Sequence, residues 1–182
     1  MTTQKNNKNH LPPIMFLVLG LIVGILLKLF VFDILVVEGT SMEPAITEGN
    51  KICAFKLAYG IVKPFGDELL IQWAEPKVGD IILYFYNNRA VIKRCVAVAG
   101  MSLDFSDDSE YTLFVGENKI SLSESQYQRI KYSSYVPEGM ILAIGDNYSE
   151  SIDSRDYGFV STKNILAKVM GLWKGLYQRT GS

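Results

Sequence analysis

The hydrophobic and polar positions divide the chain into one long apolar run near the N-terminus and many short apolar runs after it. Residues 14–32 contain a single charge, Lys28. A helix over these residues would be about 28 Å long, close to the thickness of a hydrocarbon core. Pro12-Pro13 suits the first turn of such a helix, and Lys28 lies near its far end, where the amine can reach the interface. The pattern predicts a polar tail at 1–13 and a transmembrane anchor at 14–32.

A cleaved signal sequence is the competing interpretation of this run. Its apolar region would be shorter, roughly 7 to 15 residues, and a small-x-small cleavage site would follow. No such site follows Phe32, so the pattern favours an uncleaved anchor. Lys5 and Lys8 precede the helix, which predicts a cytoplasmic tail and an extracytoplasmic domain at 33–182.

The rest of the chain has the pattern of a β protein. Short runs rich in β-branched and aromatic residues are separated by Gly, Pro, Asn and Asp, which is typical of strands and turns. Asn87-Asn88 predicts a hairpin between two runs. The predicted strands cover residues 34–37, 51–55, 81–86, 91–98, 111–115 and 140–144. The predicted fold class is mostly β, with an antiparallel sheet or barrel-like catalytic domain behind one transmembrane helix.

Three segments are less regular. Residues 104–110 and 122–134 are polar without a clear period, and we predict loops there. Residues 162–173 could form a short helix or a final strand, and the spacing of Ile165, Val169 and Leu172 fits the helix.

Composition excludes several kinds of chemistry. The 182 residues carry a formal net charge of -1, and the charges are interspersed, so no basic face recruits nucleic acid. The single histidine, His10, precedes the anchor, which excludes Ser-His-Asp and Cys-His catalysis in the main domain. Cys53 and Cys95 lack partners for a zinc site. The two could pair in an oxidising compartment, but the favoured interpretation is two small buried apolar residues.

A serine and a lysine are the remaining candidates for catalysis. Ser41 lies in the run 39–44, GTSMEP, just beyond the anchor, and Gly39 lets another backbone approach closely. A serine hydroxyl needs a base. Lys93 lies in the apolar run 90–99, AVIKRCVAVA, where a charged ammonium is costly and a neutral amine can serve as that base. For Lys93 alone, a lysine at a strand edge reaching water is the simpler interpretation. Its combination with Ser41 favours a catalytic pair.

These motifs resemble those of bacterial type I signal peptidases. GTSMEP at 39–44 is similar to the nucleophile motif Ser-Met-x-Pro that follows the family's membrane anchor, and Lys93-Arg94 resembles its Lys-Arg pair. GDNYSESIDSR at 145–155 matches Gly-Asp-Asn, three residues, Ser-x-Asp-Ser-Arg. PKVGD at 76–80 resembles a further family block, and the motifs occur in family order.

The resemblance implies a role for each matched residue. Ser41 would be the nucleophile, Lys93 the general base, and the Ser41 N–H part of the oxyanion hole. Gly39 stands where some members supply a second, hydroxyl donor to that hole. The implied supporting residues are Ser151, which would hold the lysine amine, and the ion pair of Asp153 and Arg155. The residues implied to line shallow apolar substrate pockets are Val37, Met42, Ile46, Val91 and Ile92.

The implied function is a serine endopeptidase of the signal peptidase I type, which cleaves exported preproteins after small-x-small sites beside the bacterial inner membrane. Exported preproteins and membrane lipid are the expected partners, no cofactor or metal is implied, and a monomer is expected. Ala45 and the run 97–101, AVAGM, depart from the family pattern. A dedicated peptidase of a conjugation or pilin-like system is therefore one alternative. A catalytically silent, membrane-tethered β module that binds exported chains is another.

Overall fold

The computed structural model describes residues 13–63 and 66–172 as one apolar helix followed by an antiparallel β domain. The helices are α1 (Pro13–Phe30), α2 (Glu124–Ile130) and α3 (Ser154–Tyr157). The strands are β1 (Phe32–Val36), β2 (Lys51–Phe55), β3 (Gly60–Val62), β4 (Leu69–Gln72), β5 (Ile81–Tyr86), β6 (Arg89–Val98), β7 (Asp104–Ser106), β8 (Thr112–Val115), β9 (Asn118–Ser121), β10 (Met140–Ile144), β11 (Val160–Ser161) and β12 (Ile165–Leu172). This confirms the predicted fold class and all six predicted strands.

Helix α1 is long and apolar enough to cross a membrane, and none of its residues is buried within the protein. It ends at Phe30, two residues before the predicted end of the anchor at residue 32. The difference arises because Phe32 already pairs with Phe55 on β2, so its backbone belongs to the sheet. The tail at 1–12 lies outside the described residues.

A seven-stranded antiparallel sheet in the order β1-β2-β12-β5-β6-β10-β11 forms the body of the domain. One face of its first five strands carries two adjoining apolar clusters, which share the partly buried Leu35 and Ile92. The opposite face carries Ile82, Tyr84 and Cys95 in a third cluster. The alternation of side chains along each strand produces this division.

The two predicted loops were wrong in part. Residues 104–110 contain β7, which pairs with β8, and Phe105 packs against the cluster around Leu113. Residues 122–134 contain α2, whose N-cap Ser123 forms a capping box with Gln126. Only two side chains of α2 pack against the cluster, Tyr127 and Ile130. So short an apolar stripe gives little periodic signal in the sequence.

The structure also tests the predicted hairpin and the undecided C-terminal segment. The hairpin at Asn87-Asn88 is confirmed, because it joins β5 to β6 and both residues have positive φ, 50° and 60°. After a single 3-10 turn at Thr162–Asn164, the C-terminal segment forms the strand β12 rather than a helix. Register shifts between Ile165 and Ala167 and between Val169 and Gly171 break its alternation. These shifts explain why the apolar spacing fitted a helix.

Candidate active site

The loop that follows β1 carries Ser41 and is fixed by the residues beside it. Met42 is 2% exposed and packs with Val37 and Ile46 in the cluster at one end of the sheet. The Ile46 N–H donates to the Met42 carbonyl at 2.9 Å, which closes a turn after the serine. Ser41 itself is half-buried. A buried neighbour and a closed turn therefore hold the serine hydroxyl in one place.

Lys93 reaches this hydroxyl from the middle of β6. Its Nζ donates to Ser41 Oγ at 2.8 Å, and the residue is 4% exposed. Burial lowers the pKa of the Lys93 amine, the positive charge of Arg155 lowers it further, and the carboxylates of Asp153 and Asp156 oppose the shift. The structure thus brings together the two residues predicted to form a catalytic pair.

The segment that begins at Gly145 packs directly against the Ser41 loop. A Cβ atom at Gly145 would lie 2.5 Å from the Ser41 carbonyl oxygen and 2.3 Å from Ser151 Oγ, so only glycine fits there. The Asn147 N–H donates to the Ser41 carbonyl at 3.1 Å, and Asn147 Nδ2 donates to the Thr40 carbonyl at 3.2 Å. The 145–147 segment therefore supports the backbone on both sides of the serine.

Arg94 and Asp146 connect this segment to β6. Arg94 donates from Nε to Asp146 Oδ1 at 2.8 Å and from Nη2 to Asp146 Oδ2 at 2.7 Å. Its Nη1 also donates to the Gly79 carbonyl at 3.0 Å. The sequence motifs contained Arg94, Asp146 and Asn147, but no role was assigned to them. The Arg94–Asp146 pair spans 52 positions of the chain and the Asn147–Thr40 contact spans 107, and no local pattern reveals either.

Asp153 is the centre of a buried polar network below Lys93. It is fully buried, and its carboxylate accepts five hydrogen bonds, from the Gly145 N–H, Ser151 Oγ, the Arg155 N–H, Arg155 Nε and Arg155 Nη2. Arg155 is 1% exposed and pairs with it at 2.9 Å. The predicted ion pair is therefore present, and it also starts α3, because Asp153 is the N-cap.

Ser151 lies in this network with a partner other than the expected one. Its hydroxyl donates to Asp153 Oδ2 at 2.6 Å. Among the hydrogen bonds of the described residues, none joins Ser151 to Lys93. Its predicted role in holding the amine therefore stays a prediction.

Gly39 precedes the serine by two residues and has φ of +83°. Its N–H donates to Glu48 Oε1 at 3.0 Å, a partner for which the sequence gave no signal. Within the described part of the chain, the Ser41 N–H donates to no other atom. Of these two amides, the Ser41 N–H is the one left available to an incoming oxygen.

The five residues predicted to line substrate pockets fall into two groups. Val37, Met42 and Ile46 are buried at 5%, 2% and 3% exposure, and the partly buried Ile92 packs against them. Val91 lies on the opposite face of β6, against the cluster around Tyr84. Contact with a substrate stays a prediction for all five.

Two strand edges near the site are open. Strand β6 pairs with β5 over Arg89–Arg94, but β10 pairs with it only from Arg94 onward. Strand β1 pairs with β2 along one edge and is the last strand of the sheet. Among the described strands, none covers the second edge of β1, and none covers the edge of the first half of β6 that faces away from β5.

The two cysteines are free thiols, with Cys95 buried and Cys53 half-buried. Cys95 therefore fits its interpretation as a small buried apolar residue, and Cys53 fits it only in part.

The fold and the site together define a class of protein, a β-sheet hydrolase domain with a serine–lysine pair behind an apolar N-terminal helix. The profile of the family described as "Signal peptidase, peptidase S26" matches residues 10–173, and the chain belongs to this family. This membership supports a serine peptidase that removes signal peptides from preproteins.

Individual relatives match along most of the chain. A signal peptidase I from Bacillus licheniformis is 28% identical over 183 residues, which is 91% of this chain and 90% of the relative. A signal peptidase I from Bacillus caldolyticus is 29% identical over 162 residues, 79% of this chain and 80% of the relative. A crystal structure of a signal peptidase I from Enterococcus faecalis V583 shares 30% identity over 54% of this chain and 97% of that one, with a TM-score of 0.36.

Proposed function

We propose that the protein is a membrane-anchored serine endopeptidase that uses Ser41 and Lys93 to cleave signal peptides after small-x-small sites. The observation that carries the proposal is the 2.8 Å contact between Lys93 Nζ and Ser41 Oγ in a buried site. A lysine amine that has lost its proton can accept one from a serine hydroxyl. Burial favours that neutral form of Lys93 by lowering its pKa.

The chemistry then follows as acyl transfer. Lys93 Nζ takes the Ser41 proton while Oγ attacks the carbonyl carbon of the residue before the cut. The oxyanion that forms accepts a hydrogen bond from the Ser41 N–H. The carbon–nitrogen bond breaks, and the Lys93 ammonium gives its proton to the leaving amine of the mature protein. Water then attacks the acyl-enzyme with Lys93 again as base, which releases the signal peptide and restores Ser41.

The substrate lies as an extended strand between the open edges of β1 and β6. Backbone pairing with both edges provides affinity that does not depend on side chains. Side chains at −1 and −3 relative to the cut face the cluster of Val37, Met42 and Ile46, which is already filled. Only small residues, chiefly alanine, fit there, while the residue at −2 points away and varies freely.

In this proposal the helix α1 keeps the domain at the bilayer from which the substrate emerges. The tail with Lys5 and Lys8 is cytoplasmic, and the domain from residue 33 onward is extracytoplasmic at a bacterial inner membrane. The enzyme works as a monomer in contact with lipid. The Ser41–Lys93 contact favours an active peptidase over a silent binding module, and no observation favours a single dedicated substrate.

The test is cleavage of a model preprotein by the full-length protein in detergent, with the cut mapped by mass spectrometry. Wild type is expected to cut after an Ala-x-Ala site, and Ser41→Ala is expected not to. Replacing alanine at −1 with leucine or phenylalanine should abolish cleavage, whereas the same change at −2 should not. Cleavage by Ser41→Ala at the wild-type rate would overturn the proposal.

A further inference from the structure

A second apolar space lies on the same face of the sheet as the cluster of Val37, Met42 and Ile46 beside Ser41, here called the Ser41 cluster, and at the end of the domain near α1. It is a cavity of about 530 Å³, within the size range of ligand sites. Its walls include Leu35, Leu83, Phe85 and Ala90, together with Leu29 and Phe30 at the end of α1. Lys56 donates to the Leu29 carbonyl at 3.3 Å and pairs with Asp33 at 3.0 Å, which ties the helix to the sheet at this end.

The cavity is continuous with the proposed substrate path. Leu35 and Ile92 pack against both the Ser41 cluster and the cluster that lines the cavity. Ala90 is three residues before Lys93 on β6, and Leu35 is two residues before Val37. A path from Ser41 to the cavity therefore follows the open edges of β1 and β6 in the N-terminal direction of each strand.

The register of an extended substrate determines which of its residues meets the cavity. Four residues of strand span about 13 Å, and alternate side chains point to the same face. If the side chains at −1 and −3 face the cluster of Val37, Met42 and Ile46, the side chain at −5 points to the same side of the sheet. It lies two residues nearer the membrane than the side chain at −3. That step brings it beside Ala90 and Leu35 at the cavity mouth.

We propose that this cavity is a subsite for a large apolar side chain at position −5 of the signal peptide, an inference that rests on the proposed function. The space beneath position −5 differs from the space beneath positions −1 and −3. Near Ser41 the space under the substrate is filled by buried side chains, so bulk is excluded. Under −5 the space is apolar and open, so a leucine or phenylalanine gains buried area that alanine lacks. The occupant is the substrate segment that joins the cleavage site to its own membrane-spanning part.

The first experiment measures kcat/KM for preproteins that keep Ala-x-Ala at the cut and carry Ala, Leu, Phe or Asp at −5. Leu and Phe are expected to be cleaved about ten-fold better than Ala, the lower end of the range for a hydrophobic pocket, and Asp worse than Ala. The variant Ala90→Phe fills the cavity mouth and should remove this preference. The control Leu70→Phe adds bulk at an exposed position of β4, a strand outside the seven-stranded sheet, and should leave the Leu-to-Ala ratio unchanged.

A second experiment does not depend on the folding of Ala90→Phe. A preprotein with a photoreactive benzophenone at −5 is bound to full-length Ser41→Ala in phospholipid vesicles and irradiated. Labelling of peptides from residues 81–90 and 165–167 is expected. Equal cleavage of all four −5 substrates would overturn the inference. Labelling of lipid alone would also overturn it and would favour an acyl chain in the cavity. Failure to cleave any substrate would instead count against the proposed function.

Discussion

The position of Lys93 within a strand affects the pKa of its amine. Its neighbours on the same face of β6 are Val91 and Cys95, and the residue is 4% exposed, so water cannot solvate an ammonium there. Burial lowers the pKa of the amine, and the nearby carboxylates of Asp153 and Asp156 oppose this shift without reversing it. In the proposed mechanism, the protonation state of this one amine decides whether Ser41 can be activated.

The first prediction at this scale concerns the identity of the base. Lys93→Ala and Lys93→Arg should both lower kcat/KM by about 10²–10⁴-fold, because neither side chain can accept the Ser41 proton at neutral pH. The measurement is preprotein cleavage, with thermal melting to verify that each variant is folded. Near-normal turnover by Lys93→Arg would exclude lysine as the base.

The second prediction is the pH dependence of the rate. In the proposed mechanism the neutral amine of Lys93 is the reactive form, and it is populated as pH rises through the Lys93 pKa. Because burial lowers that pKa, kcat/KM should rise from acid toward alkaline pH with a midpoint below the ordinary lysine value of about 10.4. A profile that falls between neutral and mildly alkaline pH, while circular dichroism reports a folded protein, would contradict this mechanism.

At the scale of elements, the site exists where three segments meet: the loop after β1, the strand β6 and the segment from Gly145 to α3. Two hydrogen bonds from Asn147, one backbone and one side-chain, join the first and third, and the Arg94–Asp146 pair joins the second and third. No one element contains the site, so the distance between Ser41 and Lys93 depends on how closely these segments approach each other.

Gly145 controls that approach. In Gly145→Ala the added Cβ would overlap the Ser41 carbonyl oxygen and Ser151 Oγ and displace the serine loop. A displacement of about 1 Å at a catalytic group costs on the order of 10²-fold in kcat. The control Gly24→Ala, where a Cβ has nothing within 4 Å, should have normal kcat. Equal activity of both variants would show that the close approach is not needed.

Ser151 and Asp153 should respond differently to removal. Asp153→Ala leaves Arg155 buried without its partner and should lower the free energy of unfolding by about 3–5 kcal/mol. Ser151→Ala removes one donor from a carboxylate that keeps four others and should lower kcat much more than stability. Chemical denaturation and cleavage assays on both variants test this, and equal losses of stability would argue against separate roles.

At the scale of the whole molecule, α1 leads into the edge strand of the sheet with one residue between them. Strand β1 therefore runs from the end of α1 toward the loop that carries Ser41. An extended chain leaving the bilayer beside α1 would reach the serine along this path.

The orientation in the membrane is the prediction at this scale. Lys5 and Lys8 before the apolar helix should hold the tail in the cytoplasm. Protease added to the outer side of the inner membrane should digest the domain and leave an N-terminal tag intact. Protection of the domain and digestion of the tag would reverse the topology.

The sequence by itself determined the apolar helix, six strands, the Asn87-Asn88 hairpin and the Ser41 and Lys93 candidates. Those features are local: a long apolar run with a single charge, alternation, turn residues, and a lysine between apolar neighbours. The tertiary structure alone decided the strand nature of β12, the presence of α2 and β7, the partner of Ser151 and the roles of Arg94, Asp146 and Asn147. The pairing of β12 and the roles of Arg94, Asp146 and Asn147 depend on contacts between residues far apart in the chain, and local composition carries no information about which distant groups will meet. For β7, α2 and Ser151 the hydrogen-bond partners lie close in the chain, but the sequence pattern does not tell which of several nearby polar groups will pair.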